Sequence, residues 1–265
     1  MAPLVSRVMV ALVGLPIVLL VVWAGGWWLF ALVAVGAVLA LHEYALMIRT
    51  LRPVVLAAYT GAVLTLVGAR LGEPDWMIAG FLVTLVLAFL LHWIATTRQS
   101  ATVAIASTVL GAAWIGLGLA YLLLLRDIPS NGTLATFTVL LAVWAGDIGA
   151  FFAGRMIGRH KLAPALSPGK TWEGFVFGTA ATVFVTFVAL YKQDYLSIGE
   201  SLLLGLVIAV AGPLGDLFES ALKRDMEVKD SGRLLAAHGG VLDRIDSILF
   251  AVVASYYLLR VFDAT

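Results

Sequence analysis

Apolar runs of about twenty residues recur along the whole chain, and they leave it few ways to fold. A bilayer core about 30 Å thick is crossed by about 20 residues of helix. Within it each backbone N–H and C=O must be satisfied inside the segment, which favours helices. Runs near 8–24, 27–48, 54–70, 76–95, 101–125, 133–157, 171–191, 198–222 and 241–261 predict nine transmembrane helices. The third run is short. The fifth is Gly-rich and open to a broken or re-entrant path. The last two can extend past the bilayer. Arg7 followed by an apolar run resembles a signal peptide, but the run is longer than an h-region and more spans follow, so it reads as the first span. Of the 265 residues, 62% are hydrophobic, against about half in a soluble domain, so too little polar surface remains to cover a water-facing globule. The fold class is an all-α polytopic membrane bundle.

Charge then sets orientation. The net charge of +1 gives no electrostatic reason to bind nucleic acid. The absence of cysteine excludes disulfides, thiolate metal sites and a cysteine nucleophile. With the N-terminus in the cytoplasm, 13 of the 17 Lys and Arg fall inside, and only Arg70, Arg126, Lys192 and Arg260 fall outside. Trp23, Trp27, Trp28, Trp76 and Trp93 sit near predicted span ends, as interfacial anchors do. Residues 1–130 read as a lipid-facing scaffold, and 131–265 as a catalytic region with cytoplasmic site loops. No transit peptide is read before the first span, so a bacterial cytoplasmic membrane is expected. Gly146, Ala150, Gly154 and Gly158 recur every four residues, a stripe that suits close helix packing or leaves room beside Asp147 for a ligand.

Three polar clusters stand on the predicted cytoplasmic side. Asp147 lies inside an apolar span, where a carboxylate is costly and faces a polar cavity or a partner such as Arg155. Ser167-Pro-Gly-Lys-Thr-Trp-Glu-Gly174 ends like a phosphate-binding P-loop, but Pro164 stands where the first glycine is needed. What remains is a Pro-Gly turn that places Lys170 and Thr171 near a helix N-terminus, an anion-binding position, with Glu173 as a candidate capping residue. The third cluster, Asp216 to Asp246, is densely charged between apolar runs. Asp216, Glu219, Ser220 and Lys223 follow i, i+3, i+4, i+7, one helical face. Asp243 and Asp246 follow i, i+3, again as one face, just after His238-Gly239-Gly240. Facing helices that each offer carboxylates suit a hard divalent cation such as Mg²⁺. Lys223, Arg224, Lys229 and Arg233 supply charge for phosphate oxygens. The glycines admit close approach of a ligand to the backbone.

Ser220-x-x-Lys-Arg224, Lys229-Asp230-x-Gly232 and His238-Gly-Gly-x-x-Asp-Arg-x-Asp246 resemble the signature of the CDP-diacylglycerol synthases (phosphatidate cytidylyltransferases). Ser167-Pro-x-Lys-Thr-x-Glu-Gly174 and Gly215-Asp-Leu-x-Glu-Ser220 are similar to other recurrent stretches of that family. Ala237 stands before the histidine where members commonly carry Pro, Gly or Ser. The likeness covers roughly the C-terminal half; the first 130 residues match only as apolar spans. The resemblance implies CTP and phosphatidate as substrates, CDP-diacylglycerol and pyrophosphate as products, and one or two Mg²⁺ ions as cofactor. It implies Asp216, Asp243 and Asp246 as metal ligands, with Asp147 a further candidate. Lys170, Lys223, Asp243 and Asp246 would be catalytic. Ser167, Lys170, Thr171, Glu173, Ser220, Lys223, Arg224, Lys229, Asp230, His238, Gly239, Gly240 and Arg244 would bind substrate. The lipid would enter sideways from the inner leaflet, and a homodimer is compatible with the sequence.

Two other readings use the same residues. A CTP-dependent lipid kinase, such as a polyprenol kinase, would move the γ-phosphoryl group and release CDP. A lipid transporter should show broken helices in corresponding positions of two halves, whereas charge here is confined to one face and one half. A CDP-alcohol phosphotransferase needs an Asp-Gly opening that the chain lacks.

Overall fold

The computed structural model describes residues 14–72, 74–95, 100–232 and 239–264. The described residues are predominantly helical, with one short hairpin. Its helices are α1 (Gly14–Ala24), α2 (Gly26–Met47), α3 (Val55–Arg70), α4 (Pro74–Ile94), α5 (Ala101–Gly111), α6 (Gly118–Arg126), α7 (Gly132–Ile157), α8 (Trp172–Leu190), α9 (Ile198–Asp225) and α10 (Asp246–Val261). Among the described residues, six rods are long and apolar enough to cross a membrane: α2, α4, Ala101–Arg126, α7, α8 and α9. Helices α1 and α3 are apolar but shorter.

Helices α5 and α6 form one rod joined through a π-helical segment, Ala112–Leu117. The Gly-rich fifth run is therefore continuous. Its small residues serve packing: a side chain at Gly111 would strike the Tyr44 ring, and one at Gly116 would crowd Ala62. The last predicted span is shorter than its apolar run. Residues 241–245 form a 3-10 turn at Leu242–Arg244, and the helix starts only at Asp246.

The chain divides into two compact units. The first holds 1–127 together with 226–245. The segment 226–245, which the sequence places with the C-terminal half, thus belongs to the N-terminal unit. Within this unit α3 and α4 pack backbone to backbone: Gly68 abuts the main chain of Trp76–Met77, and Gly80 that of Leu64–Thr65. Only glycine lets backbones approach so closely, the usual device where lipid gives no hydrophobic drive to association. Leu29, Leu41, Leu66, Ile115 and Leu123 fill the interior. Arg126 donates from Nε to the Val22 carbonyl (2.7 Å) and from Nη2 to the Trp23 carbonyl (2.8 Å), satisfying the open carbonyl end of α1. Arg70 pairs with Asp127 at 3.1 Å and lies over the Trp27 ring. Both arginines are fixtures of the unit rather than free loop charges.

The second unit holds 128–225 and 246–265. In α7 the stripe Gly146, Ala150, Gly154 faces Gly174 and Gly178 of α8. A side chain at Gly178 would meet the Gly146 carbonyl at 2.8 Å and the Ala150 methyl at 3.0 Å. Thr182 adds a bond to the Ala142 carbonyl, 3.2 Å. Gly205 brings α9 onto α8, and Gly215 brings α9 onto the backbone of Asp246 in α10. Between α7 and α8 the chain makes an antiparallel hairpin, β1 (Lys161–Ala163) with β2 (Ser167–Thr171). The sequence reading had only a Pro-Gly turn here; β2 pairs Thr171 with Lys161 and Ser167 with Ala163. Outward side chains such as Phe152, Phe177 and Phe184 are exposed apolar groups, as on a lipid-facing surface.

Candidate active site

In the second unit α7, β2, α8 and α9 enclose a cavity of about 650 Å³. Its wall is largely apolar and small, with Gly146, Ala150, Gly154, Gly174, Gly178 and Ala209 among the lining residues. The small-residue stripe therefore serves both of its candidate purposes: it packs α7 on α8 and it leaves space beside Asp147. The polar lining is Asp147, Arg155, Ser167, Lys170, Thr171, Thr179, Thr182 and Asp216. An apolar hollow with a few convergent polar groups is the usual form of a ligand site.

Asp147 is not paired with Arg155. It stands within electrostatic reach of Asp246, Asp216 and Lys170. Lys170 Nζ lies 2.8 Å from Asp216 Oδ2 and 3.5 Å from the Pro213 carbonyl. Pro213 is inside α9, where its ring removes one backbone donor and leaves the helix locally short of hydrogen bonds. The expected face of α9 is real: Ser220 donates to Asp216 Oδ1 (3.3 Å), and Lys223 Nζ lies 3.1 Å from Glu219 Oε1. Glu219 is fully buried and hydrogen-bonds Asp246, which also feels Asp216 and Lys223. Two carboxyl groups in such contact share a proton or a cation. Five charged groups from three segments, Lys170 of β2, Asp216, Glu219 and Lys223 of α9, and Asp246 of α10, thus form one linked network, with Asp147 of α7 beside it.

Several candidates hold the protein rather than face open space. Thr171 is the N-cap of α8, its hydroxyl accepting the Gly174 N–H at 3.1 Å. Glu173 accepts the N–H groups of Arg159 (3.1 Å) and His160 (3.2 Å), and meets His160 Nδ1 at 2.6 Å. It fastens the turn before β1 to the first turn of α8, whose N-cap is Thr171. Arg224 Nε donates to the Leu166 carbonyl at 3.1 Å and ties the hairpin loop to the end of α9. Lys229, Asp230 and Arg244 are exposed. His238 and Arg233 lie outside the described residues.

Asp243 and Asp246 do not share a helical face. Asp243 lies in the 3-10 turn of the first unit, and Asp246 opens α10 in the second. The turn forms because Asp243 accepts the Gly240 N–H (Oδ2, 2.8 Å) and the Ser231 N–H (Oδ1, 3.3 Å), which closes a loop that continued helix would abolish. Gly239 has φ +84°, which a side chain would strain. Gly240 is open toward protein and not toward solvent: a side chain there would strike Ser231 Oγ and the Glu43 carboxylate. Among the described residues, no three His, Asp or Glu side chains are grouped closely enough to make a ready-formed metal site.

Glu43 is the residue that sequence reasoning missed. It lies in α2, is fully buried, and accepts the Leu242 N–H at 2.9 Å across 199 positions of chain. The available signal was its place as the one acidic residue in the run 27–48.

Fold and site together define a multi-pass helical membrane protein with a largely apolar cavity that carries Asp147, Arg155, Lys170 and Asp216 on its wall. The chain belongs to the cytidylyltransferase family, whose model matches residues 5–262, so the relationship reaches well beyond the C-terminal half. It is 33% identical over 250 residues to the phosphatidate cytidylyltransferase of Staphylococcus haemolyticus, covering 93% of this chain and 95% of that protein. It is 43% identical over 154 residues to the enzyme of the same name from Bacillus subtilis; that alignment spans 58% of this chain and 57% of the relative. The corresponding enzyme of Staphylococcus saprophyticus is 40% identical over 145 residues, 55% of its length.

Proposed function

We infer that this chain is a phosphatidate cytidylyltransferase, making CDP-diacylglycerol and pyrophosphate from CTP and phosphatidate in phospholipid synthesis. The observation that carries the reading is the Lys170–Asp216 pair at 2.8 Å on the wall of a largely apolar cavity, in a chain of this family. A phosphate oxygen of phosphatidate attacks the α-phosphorus of CTP, and the bond from that phosphorus to the β-phosphate oxygen breaks. The nucleophile is already anionic, so no strong general base is required. The chain's work is to position two anions against each other and to offset the charge that leaves with pyrophosphate.

Lys170 and Lys223 each sit on a carboxylate, Asp216 and Glu219, which keeps both ammonium groups oriented for phosphate oxygens. The apolar wall between α7 and α8 takes the acyl chains, entering sideways from the inner leaflet. One or two Mg²⁺ ions fit the donor set. Asp216, Asp246 and Asp147 repel one another and offer hard oxygen donors. Mg²⁺ is commonly held by only one or two carboxylates together with substrate phosphates. When bound, it supplies charge neutralisation of the triphosphate. Asp243 spends its two oxygens on backbone N–H groups, so its immediate task is to hold the Gly239–Arg244 turn. The site faces the cytoplasm, where CTP is, in agreement with the distribution of Lys and Arg.

The test is product identity. Purified protein given CTP, phosphatidate and Mg²⁺ should release pyrophosphate only when both substrates are present. Release of CDP with a lipid alcohol, and no pyrophosphate, would mark a CTP-dependent lipid kinase instead.

A further inference from the structure

We propose that Glu43 is a positioning residue for the cytidylyl transfer, seating Ser231, Gly232 and the 239–242 segment on α2 within the first unit. The proposal rests on the functional reading above. Glu43 is the one acidic side chain of α2, and every residue of the helix before His42 is apolar or glycine. A carboxylate with no exposure is costly in such a place and needs a reason. Its Oε2 accepts the Leu242 N–H at 2.9 Å. Its Oε1 has no hydrogen-bond partner among the described residues.

The loop is shaped around this group. A side chain at Gly232 would run into Glu43 Oε1, Cδ and Cγ, and one at Gly240 into Ser231 Oγ and Glu43 Oε2. Neither glycine has a positive φ, so what forbids a side chain is occupied space: the carboxylate at Gly232, and the carboxylate with Ser231 Oγ at Gly240. Asp243 then locks the same loop from its other side through the Gly240 and Ser231 N–H groups. Three glycines in the signature region therefore have separate causes: Gly239 its backbone angle, Gly232 the buried Glu43, and Gly240 the Ser231 hydroxyl together with Glu43. The turn so held carries Gly239, Gly240, Asp243 and Arg244, all candidate site residues, and passes straight into α10 at Asp246.

The experiment measures incorporation of α-labelled CTP into lipid by full-length protein in detergent micelles, with kcat and the KM for CTP corrected for monodisperse, helical protein. Glu43→Ala should lower kcat by about tenfold or more, the scale of an unmet buried N–H. Glu43→Gln, which keeps an acceptor for Leu242 N–H, should recover activity to within about threefold. Gly232→Ala should lower kcat about tenfold in the wild-type background, yet add less than about threefold to Glu43→Ala, because the clash is gone. Wild-type kcat in Glu43→Ala, or independent losses that multiply in the double variant, would overturn the proposal. If Glu43→Ala does not survive extraction, Gly232→Ala decides alone, and unchanged turnover in it overturns the assignment. Wild-type protein that incorporates no label contradicts the functional reading itself, whereas an active wild type with indifferent variants contradicts only the role of Glu43.

Discussion

At the scale of single residues the account depends on two lysines and one aspartate. Lys170 and Lys223 are held at 2.8 Å and 3.1 Å from Asp216 and Glu219. Lys→Met at either keeps length but removes the donor, and should cut turnover at least about a hundredfold, the scale of a removed transition-state donor, while the protein still inserts and stays monodisperse. Arg at the same position should restore only part of the rate, since a planar fork does not reproduce a point charge. Full activity of both Met variants would make these lysines structural. Asp246 separates metal holding from ion pairing. Asp246→Asn keeps shape but weakens a hard-cation ligand, so the curve of rate against Mg²⁺ should move to higher concentration, with excess Mg²⁺ recovering part of the activity. Superimposable normalised curves, with only a lower melting temperature, would leave Asp246 as a partner of Glu219 and Lys223 alone.

At the scale of elements, what the sequence disclosed followed periodicity, and what it withheld depended on pairs far apart in the chain. The i, i+3, i+4, i+7 face of α9 was legible because helical spacing alone sets it, and Asp216, Ser220, Glu219 and Lys223 do meet as two bonded pairs. The same rule misled at Asp243 and Asp246, where two backbone N–H groups capture the Asp243 carboxylate and a 3-10 turn replaces the helix. The lone acidic residue in the run 27–48 marked Glu43 as unusual, but its role was not legible because its partner is 199 residues away. The β1–β2 hairpin was missed because its strands are three and five residues long, too short to show alternation. The small-residue stripe offers a test at this scale. Gly178→Leu would force α8 off α7, so it should lower the midpoint of thermal unfolding, at a cost of about 1–3 kcal/mol or more. A variant as stable as wild type would mean that the two helices do not pack through Gly178.

At the scale of the whole molecule the claims concern sidedness and reaction. The excess of Lys and Arg in alternate loops predicts that Ser167 faces the cytoplasm and Asp194 the opposite side. Single cysteines at these two positions in the otherwise cysteine-free chain should react with an impermeant thiol reagent from opposite faces of the membrane. Reaction from one face would contradict the nine-span arrangement. Membership of the cytidylyltransferase family narrows the chemistry to cytidylyl transfer, and the largely apolar cavity between α7 and α8 is the proposed place for the lipid acceptor. The most direct measurement follows two labels of CTP, one on the α-phosphate and one on the γ-phosphate, in parallel incubations with purified protein, phosphatidate and Mg²⁺. Cytidylyl transfer predicts that the α label moves into extractable lipid while the γ label stays in water as pyrophosphate; γ label in lipid, or α label in none, would contradict it.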